Sequence, residues 1–347
     1  MRIVASGAVT GTPIDTVTEA ELSFLDRVTA HDGAAEISGG LLAIATGEDT
    51  AHDAQTASSV WRVYDDAATT DAASTGAATT GATDNAATDA SAAPLIGFGI
   101  RARQGERHAA EFLIDPDHRG RGHGEALLTA ILAEEPSAWC WSHGDDPAAR
   151  HLAARQGLSR DRVLYQMRTD PDLTLDALPA AAPPAGVTIR SFAPSDEAGW
   201  LRVNNAAFDW HPEQGHQTLE DIASIVGADG FDPATVVIAT GTVDGTDTVI
   251  GFHETKLTDT EAGDRLGEVY VVGVDPGVHA KGVGRALTVE GMRRMVAAGA
   301  TAIELYVESD NAPALGLYER LGFHVAVAHV SYAPATPAQS TQEQLDV

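Results

Sequence analysis

Asp115-Pro116-Asp117-His118-Arg119-Gly120-Arg121-Gly122-His123-Gly124 and Asp275-Pro276-Gly277-Val278-His279-Ala280-Lys281-Gly282-Val283-Gly284 are two versions of one loop. Each follows a β-type run, Glu111-Phe112-Leu113-Ile114 in the first case and Glu268-Val269-Tyr270-Val271-Val272-Gly273-Val274 in the second. Each precedes an amphipathic helical run, Glu125 to Ala133 and Arg285 to Ala298. A strand, a glycine loop and a helix in that order turn backbone N–H groups and the positive end of the helix dipole toward one point, and glycine lets a pyrophosphate approach without meeting a Cβ. Such a site suits a phosphorylated cofactor. Strand-to-helix turns also use glycine for conformational reasons alone, so either loop by itself leaves both readings open.

Repetition decides between them. Pro116 and Pro276, Gly122 and Gly282, and Gly124 and Gly284 keep one constant spacing of 160 positions. A second shared block, Asp145-Asp146-Pro147-Ala148-Ala149-Arg150 against Asp310-Asn311-Ala312-Pro313-Ala314-Leu315, follows at a spacing of 165. Two ordered blocks repeated together predict two related domains, and 347 residues are enough for each to bury a core.

The net charge of −28, with Lys256 and Lys281 the only lysines, excludes the basic face that nucleic acid or an anionic membrane requires. Small-molecule chemistry is expected, in a monomer. Cys140, the single cysteine, lies between Trp139 and Trp141 in an apparent buried strand and reads as inert core. No basic stretch followed by an apolar segment opens the chain, and no long apolar run occurs, so a cytoplasmic location is expected. The histidines, His253 and His211 among them, show no metal-ligand spacing, so no metal is expected.

Residues 1–168 read as the first domain, with helical signal from Glu19 to Thr29 and strands at Ser58 to Tyr64 and Leu95 to Arg103. Asp65 to Ala93, almost wholly Ala, Thr, Asp, Ser and Gly, cannot bury enough apolar area to offset its ordering entropy, and reads as a disordered hairpin expansion. Residues 169–186, with Pro171, Pro179, Pro183 and Pro184 among alanines, read as a linker. The second domain, 187–333, begins with a strand at Val187 to Arg190 and helices at Ser195 to Ala206 and Leu219 to Val226. Strands at Val236 to Thr240, Val249 to Leu257 and Glu268 to Val274 follow. Beyond the loop come a strand at Ala302 to Glu308, a helix at Ala312 to Leu321 and a strand at His324 to Tyr332, and residues 334–347 read as a flexible tail.

This order resembles the GNAT acetyltransferase superfamily, whose acyl-CoA signature is Arg or Gln, x, x, Gly, x, Gly or Ala. Arg119, Gly122 and Gly124 fit it; Gly282 and Gly284 fit, while His279 replaces the usual Gln or Arg and Ala280 a frequent glycine. The chain as a whole is similar to the mycothiol synthase family of tandem GNAT enzymes through Val203-Asn204-Asn205-Ala206-Ala207-Phe208, His211-Pro212-Glu213-Gln214-Gly215, Gly251-Phe252-His253 and Leu305-Tyr306-Val307-Glu308-Ser309-Asp310-Asn311, with Ser142-His143-Gly144-Asp145 in the first half. The resemblance implies an α/β fold of two tandem GNAT domains, each a mixed, mostly antiparallel sheet holding CoA in a V-shaped gap. It also implies acetyl transfer from acetyl-CoA to the cysteinyl amine of a cysteinyl-glucosaminyl-inositol. The implied cofactor contacts are Val272, Gly273, Val274, His279, Ala280, Lys281, Gly282, Val283, Gly284, Arg285 and the run Asn311-Ala312-Pro313-Ala314-Leu315-Gly316. In the first half they are Phe112, Leu113, Ile114, Arg119, Gly120, Arg121, Gly122, His123, Gly124 and Glu125. The implied acceptor contacts are Glu36, Glu213, Lys256, Glu268 and Tyr306.

Amine acetylation needs a base for the nucleophile and an acid for the departing thiolate. Glu268, beside the cofactor strand, and Tyr318, on the helix after the next strand, fit those parts; an exposed strand-end carboxylate and a packed ring are the plain alternatives. Counting back by the two repeat spacings gives His108 for Glu268 and Ala153 for Tyr318, so the first half reads as a structural or acyl-CoA-binding partner, with Gly39 where an acceptor glutamate is expected and Glu36 close by. Another GNAT N-acetyltransferase, acting on an aminoglycoside, a small amine or a protein N-terminus, and a non-catalytic acyl-CoA sensor are the competing readings.

Overall fold

The structure, a computed structural model, describes residues 1–7, 17–33, 37–46, 58–66, 93–104, 107–209, 215–243, 245–260, 263–278 and 281–335. Most of the Asp65 to Ala93 insert and of the 334–347 tail lies outside them, as do Glu36, Glu213, His279 and Ala280. Two units emerge, Met1–Arg162 with His329–Val347, and Val163–Ala328.

The first unit contains β1 (Arg2–Gly7), α1 (Glu19–Asp32), α2 (Gly39–Thr46), β2 (Ser59–Tyr64), β3 (Leu95–Gln104), β4 (Arg107–Ile114), α3 (His123–Glu134), β5 (Trp139–Ser142), α4 (Pro147–Arg155) and the start of β6 (Leu158–Arg168). Thr18 begins α1 with a capping box, its hydroxyl accepting from Glu21 N while Glu21 reaches back to Thr18 N at 2.8 Å. β1 to β4 are antiparallel neighbours, and Asp65 N donates to Pro94 O at 3.0 Å where the insert leaves the β2–β3 hairpin. β4 and β5 run parallel through Ala109↔Trp139 and Ala110↔Cys140 only. α1 and α2 cover one face, where Phe24, Val28 and Leu41 bury Phe98, Ala109 and Leu113. α3 covers the other, where a Cβ on Gly99 would touch both Phe112 and Ile131.

The second unit repeats this plan with β7 (Val187–Ser191), α5 (Glu197–Ala207), α6 (Leu219–Gly227), β8 (Val236–Val243), β9 (Thr246–Asp259), β10 (Arg265–Val274), α7 (Val283–Ala297), β11 (Ala302–Glu308), α8 (Ala312–Arg320) and the start of β12 (His324–Pro334). The helix expected from Ser195 starts at Glu197, because Pro194–Asp196 forms a single 3₁₀ turn closed by Asp196 accepting from Ala193 N at 2.8 Å. β7 to β10 are antiparallel, and β10 and β11 run parallel from Leu266↔Ala302 to Val269↔Leu305. α5 and α6 bury Trp200, Val203 and Ile222 against Phe252 and Val271, while α7 buries Met292 and Met295 on the opposite face against Val269, Ile303 and Leu305.

Each unit takes its last strand from the other half of the sequence. Residues 164–168 of β6 pair with β11 in the second unit, from Leu164↔Glu308 to Arg168↔Glu304, and residues 330–332 of β12 pair with β5 in the first. The units therefore divide within β6 and β12 rather than at the proline-rich stretch. That stretch is docked on the second unit: Leu173 N donates to Thr301 O at 2.8 Å, Leu178 is buried, and Arg293 reaches Leu175 O at 3.2 Å. β12 also runs past the expected end at Tyr332, since Ala333 is buried in the first unit's core.

Candidate active site

Parallel pairing of β10 with β11 stops at Val269, so the edge of β10 from Val271 to Val274 faces an opening instead of a strand. A β-bulge sits at that point. β9 pairs with Val269 through Thr255 and with Val271 through Glu254, leaving Tyr270 as the extra residue. The bulge reverses the alternation of side chains, so Glu268 and Val271 point to the α5/α6 face although they are three positions apart. Gly273 is required there, because a Cβ would lie 2.5 Å from the Phe252 ring. The backbone of Val272, Gly273 and Val274, left without a β11 partner, can meet a pantetheine arm.

Beyond the strand, Gly282 caps α7 at φ +95°, where a side chain would be strained, and Gly284 leaves room beside Val274 Cγ2. Val283 is buried, so only its backbone can serve a ligand, whereas Lys281 and Arg285 are exposed. The first unit repeats the arrangement with Gly120 at φ +73° and Gly122 at φ +82°. A cavity of about 460 Å³ opens at this loop, lined by Phe112, Leu113, Ile114, Gly122, Gly124 and Trp141 among others. The glycine cradles and the adjoining opened strands fit a nucleotide thioester such as acetyl-CoA. Arg119 lines the cavity, but its head is engaged: Nε donates to Ile114 O at 2.9 Å and Nη1 to Asp32 at 2.9 Å. The signature arginine thus shapes the loop. Arg121 is tied to Asp117 O at 2.8 Å, and Glu125 to Arg155 at 2.7 Å. Asn311 and Asp146 occupy one role, capping α8 and α4 by accepting from Ala314 N and Ala148 N. Ala312 and Pro313 are exposed, and Ala314 and Leu315 rest on the core.

On the α5/α6 face, Glu268 lies between two register partners, Lys256 of β9 and Glu304 of β11. Partial burial pushes its carboxyl pKa up, Glu304 adds to that, and Lys256 opposes it. Glu254 is raised in the same way, by burial first. Lys256 Nζ stands 3.0 Å from the centroid of the Tyr270 ring, and Tyr270 and Tyr306 are 42 % and 45 % exposed. Burial of its hydroxyl end, then Glu304 and Glu268, push Tyr306 up to about 12. Tyr318 belongs to the opposite face: its ring meets Phe323 edge-on at 5.8 Å and packs on the cluster holding Val269 and Leu305. Burial alone pushes its phenol up to about 12.

The chain matches the Acetyltransferase (GNAT) family over residues 200–323. A mycothiol acetyltransferase of Gordonia bronchialis is 47 % identical over 226 residues, covering 64 % of this chain and 72 % of that one. Another, of Segniliparus rotundus, is 42 % identical over 241 residues, covering 68 % and 89 %. The chain belongs to the mycothiol acetyltransferase family. The fold agrees: a GCN5-related N-acetyltransferase from Sphaerobacter thermophilus superposes with a TM-score of 0.62 at 19 % identity, covering 95 % and 94 % of the two chains. A tandem GNAT protein from the clavulanic acid pathway gives 0.61 at 15 %, covering 96 % and 99 %.

In this mycothiol acetyltransferase family member, the structure brings Lys256, Glu268 and Tyr306 onto one face of adjacent strands, with Tyr318 across the sheet. Sequence reasoning missed Glu254, Tyr270 and Glu304. Period-two spacing from Lys256 and Tyr306 was the available signal for Glu254 and Glu304; nothing announced the bulge at Tyr270. The bulge also corrects the repeat count. β4 pairs with β3 without a register shift from Gly97↔Ile114 to Gln104↔Arg107, so the counterpart of Glu268 is Ala109. His108 faces the helix side instead, 3.5 Å from Glu135 at the end of α3. Ala153, the counterpart of Tyr318, is buried. Cys140 is buried and its thiol is pushed up to about 12, first by burial, so it is no nucleophile. Among the described residues no cluster suits a metal ion, and no helix is long and apolar enough to cross a membrane.

Proposed function

We propose that this chain acetylates the cysteinyl amine of cysteinyl-glucosaminyl-inositol from acetyl-CoA, giving mycothiol and CoA, and that the second unit does so. Acetyl-CoA supplies an activated acyl thioester. The observation that supports this reading is that Glu268 stands on the α5/α6 face one residue before the parallel β10–β11 ladder ends, while the Tyr318 ring packs on the opposite face. A base on one side and an acid on the other suit an amine that attacks from one direction and a thiolate that leaves in another.

Glu268 takes the amine proton, directly or through water; its raised pKa makes it a stronger base than an ordinary carboxylate. Tyr318, a phenol kept protonated by burial, supplies a proton to the thiolate. Backbone at Val272 to Val274 orients the donor, and Gly282 to Gly284 hold its phosphates. Lys256, Tyr270 and Tyr306 form a cationic and aromatic surface suited to a hydroxyl-rich sugar and inositol; the family resemblance adds Glu213 to the acceptor contacts. The first unit binds acetyl-CoA without serving this transfer. Steady-state turnover with the purified cysteinyl acceptor, against an aminoglycoside and a peptide N-terminus, tests the assignment. A kcat/KM no higher for the cysteinyl acceptor would overturn it.

A further inference from the structure

An α-amino group, with an ordinary pKa of about 7.7–8.0, meets the enzyme at neutral pH mostly as an ammonium. Of its three N–H hydrogens the amide product keeps one, so two protons must leave the nitrogen. Glu268 can take one of them.

Glu254 stands where the other can go. It shares the α5/α6 face with Phe252, Lys256 and Glu268, and it lies between Val236 of β8 and Val271, the first β10 residue past both the bulge and the parallel ladder. Its side chain is half-buried, and among the described residues nothing donates a hydrogen bond to its carboxylate. Burial pushes its pKa up, Lys256 on its own strand opposes this, and Glu268 across the bulge adds to it. Trp200, Val203 and Ile222, which α5 and α6 pack beside Phe252 and Val271, carry no charge. A half-buried carboxylate flanked by valines is costly to keep without a donor. An ammonium brings three.

We propose that Glu254 is the docking carboxylate for the acceptor, an assignment that rests on the cysteinyl amine being acetylated at this site. Glu254 pairs with the ammonium and takes its first proton, and the nitrogen lone pair so freed bonds to the thioester carbon while Glu268 takes the second. The C–S bond breaks and Tyr318 protonates the thiolate. The proton on Glu268 restores Tyr318 through water, and the one on Glu254 is released. Ammonium and acetyl-CoA thus give amide, CoA thiol and one proton.

The test reads kcat/KM for the cysteinyl acceptor at pH 7 and pH 9 in the full chain, in Glu254→Gln and in Glu268→Gln, with acetyl-CoA affinity from calorimetry. Glu254→Gln should lower it about five- to tenfold at pH 7, where the amine is mostly protonated, and less than about threefold at pH 9, where the amine arrives neutral. The deficit of Glu268→Gln should persist at both, and the Kd for acetyl-CoA should hold throughout. Glu254→Leu, which matches the valine flanks, gives the same reading if the amide variant does not fold. A parent that does not turn over the cysteinyl acceptor overturns the assigned acceptor and the docking role together. With an active parent, an equal deficit at both pH values, no deficit at pH 7, or only an acidic limb moved down by loss of a like-charged neighbour overturns the docking role alone.

Discussion

Glu268 and Lys256 are direct partners across the β9–β10 ladder, and the lysine works against the burial that raises the glutamate's pKa. Because the base must be ionised, the acidic limb of kcat/KM should lie above the ordinary carboxylate value of about 4.3. Lys256→Met removes the lowering influence and should move that limb to higher pH. Glu304→Gln removes a raising one and should move it down. Glu268→Gln should erase the limb and slow single turnover by roughly a hundredfold or more. Opposite or absent shifts would show that another group is the base.

Tyr318→Phe keeps the ring contact with Phe323 and deletes only the acid. Single turnover at saturating donor should fall by roughly a hundredfold, with little change in acetyl-CoA affinity. Calorimetry beside rapid-quench kinetics separates the two; a matching loss in both would make Tyr318 a binding residue instead.

A Cβ at Gly284 meets Val274 Cγ2 at an ordinary 3.6 Å, so Gly284→Val should weaken acetyl-CoA binding by filling ligand space at the second loop. At Gly124 the Cβ meets Leu152 Cδ1 at 3.3 Å, and Gly124→Val should cost some stability as well as donor binding at the first loop. Transfer to the cysteinyl acceptor should survive Gly124→Val and be lost in Gly284→Val. Kinetics with a circular-dichroism melt for each variant checks this.

The strands and helices that flank both loops were legible because alternation, a glycine turn and amphipathic periodicity coincide there. Helix α2 was not, since it is short and opens on Gly39-Gly40, residues that disfavour helix. The bulge was hidden within Val269-Tyr270-Val271-Val272, a run with strand propensity at every position and no glycine to mark an inserted residue. Nor could alternation name a strand's partner. β6 reads alike whether it closes its own half or the other, and the alanines and prolines of residues 169–186 look like a spacer until Leu178 is seen buried.

Burial alone would raise the pKa of Glu21, yet bonds from Arg62 and the Thr18 backbone lower it overall. Arg62 Nη2 donates to Glu21 Oε2 at 3.1 Å inside the first unit. Arg62→Met strands a buried carboxylate and should destabilise by about 3–5 kcal/mol, read from urea melts. A lowered folded pKa stabilises above the unfolded value near 4.3, and that contribution is lost as pH falls through the folded one. The variant's stability should therefore fall less on acidification than the parent's.

The strand exchange sets a timetable for synthesis. β5 gains its second neighbour only from residues 330–332, so a ribosome must make nearly the whole chain before the first unit's sheet can close. Until then one edge of β5 stays open, the kind of strand edge that can pair with another chain. The second unit, which takes 164–168 from residues already made, needs no such wait. The half that emerges first is the half that finishes last.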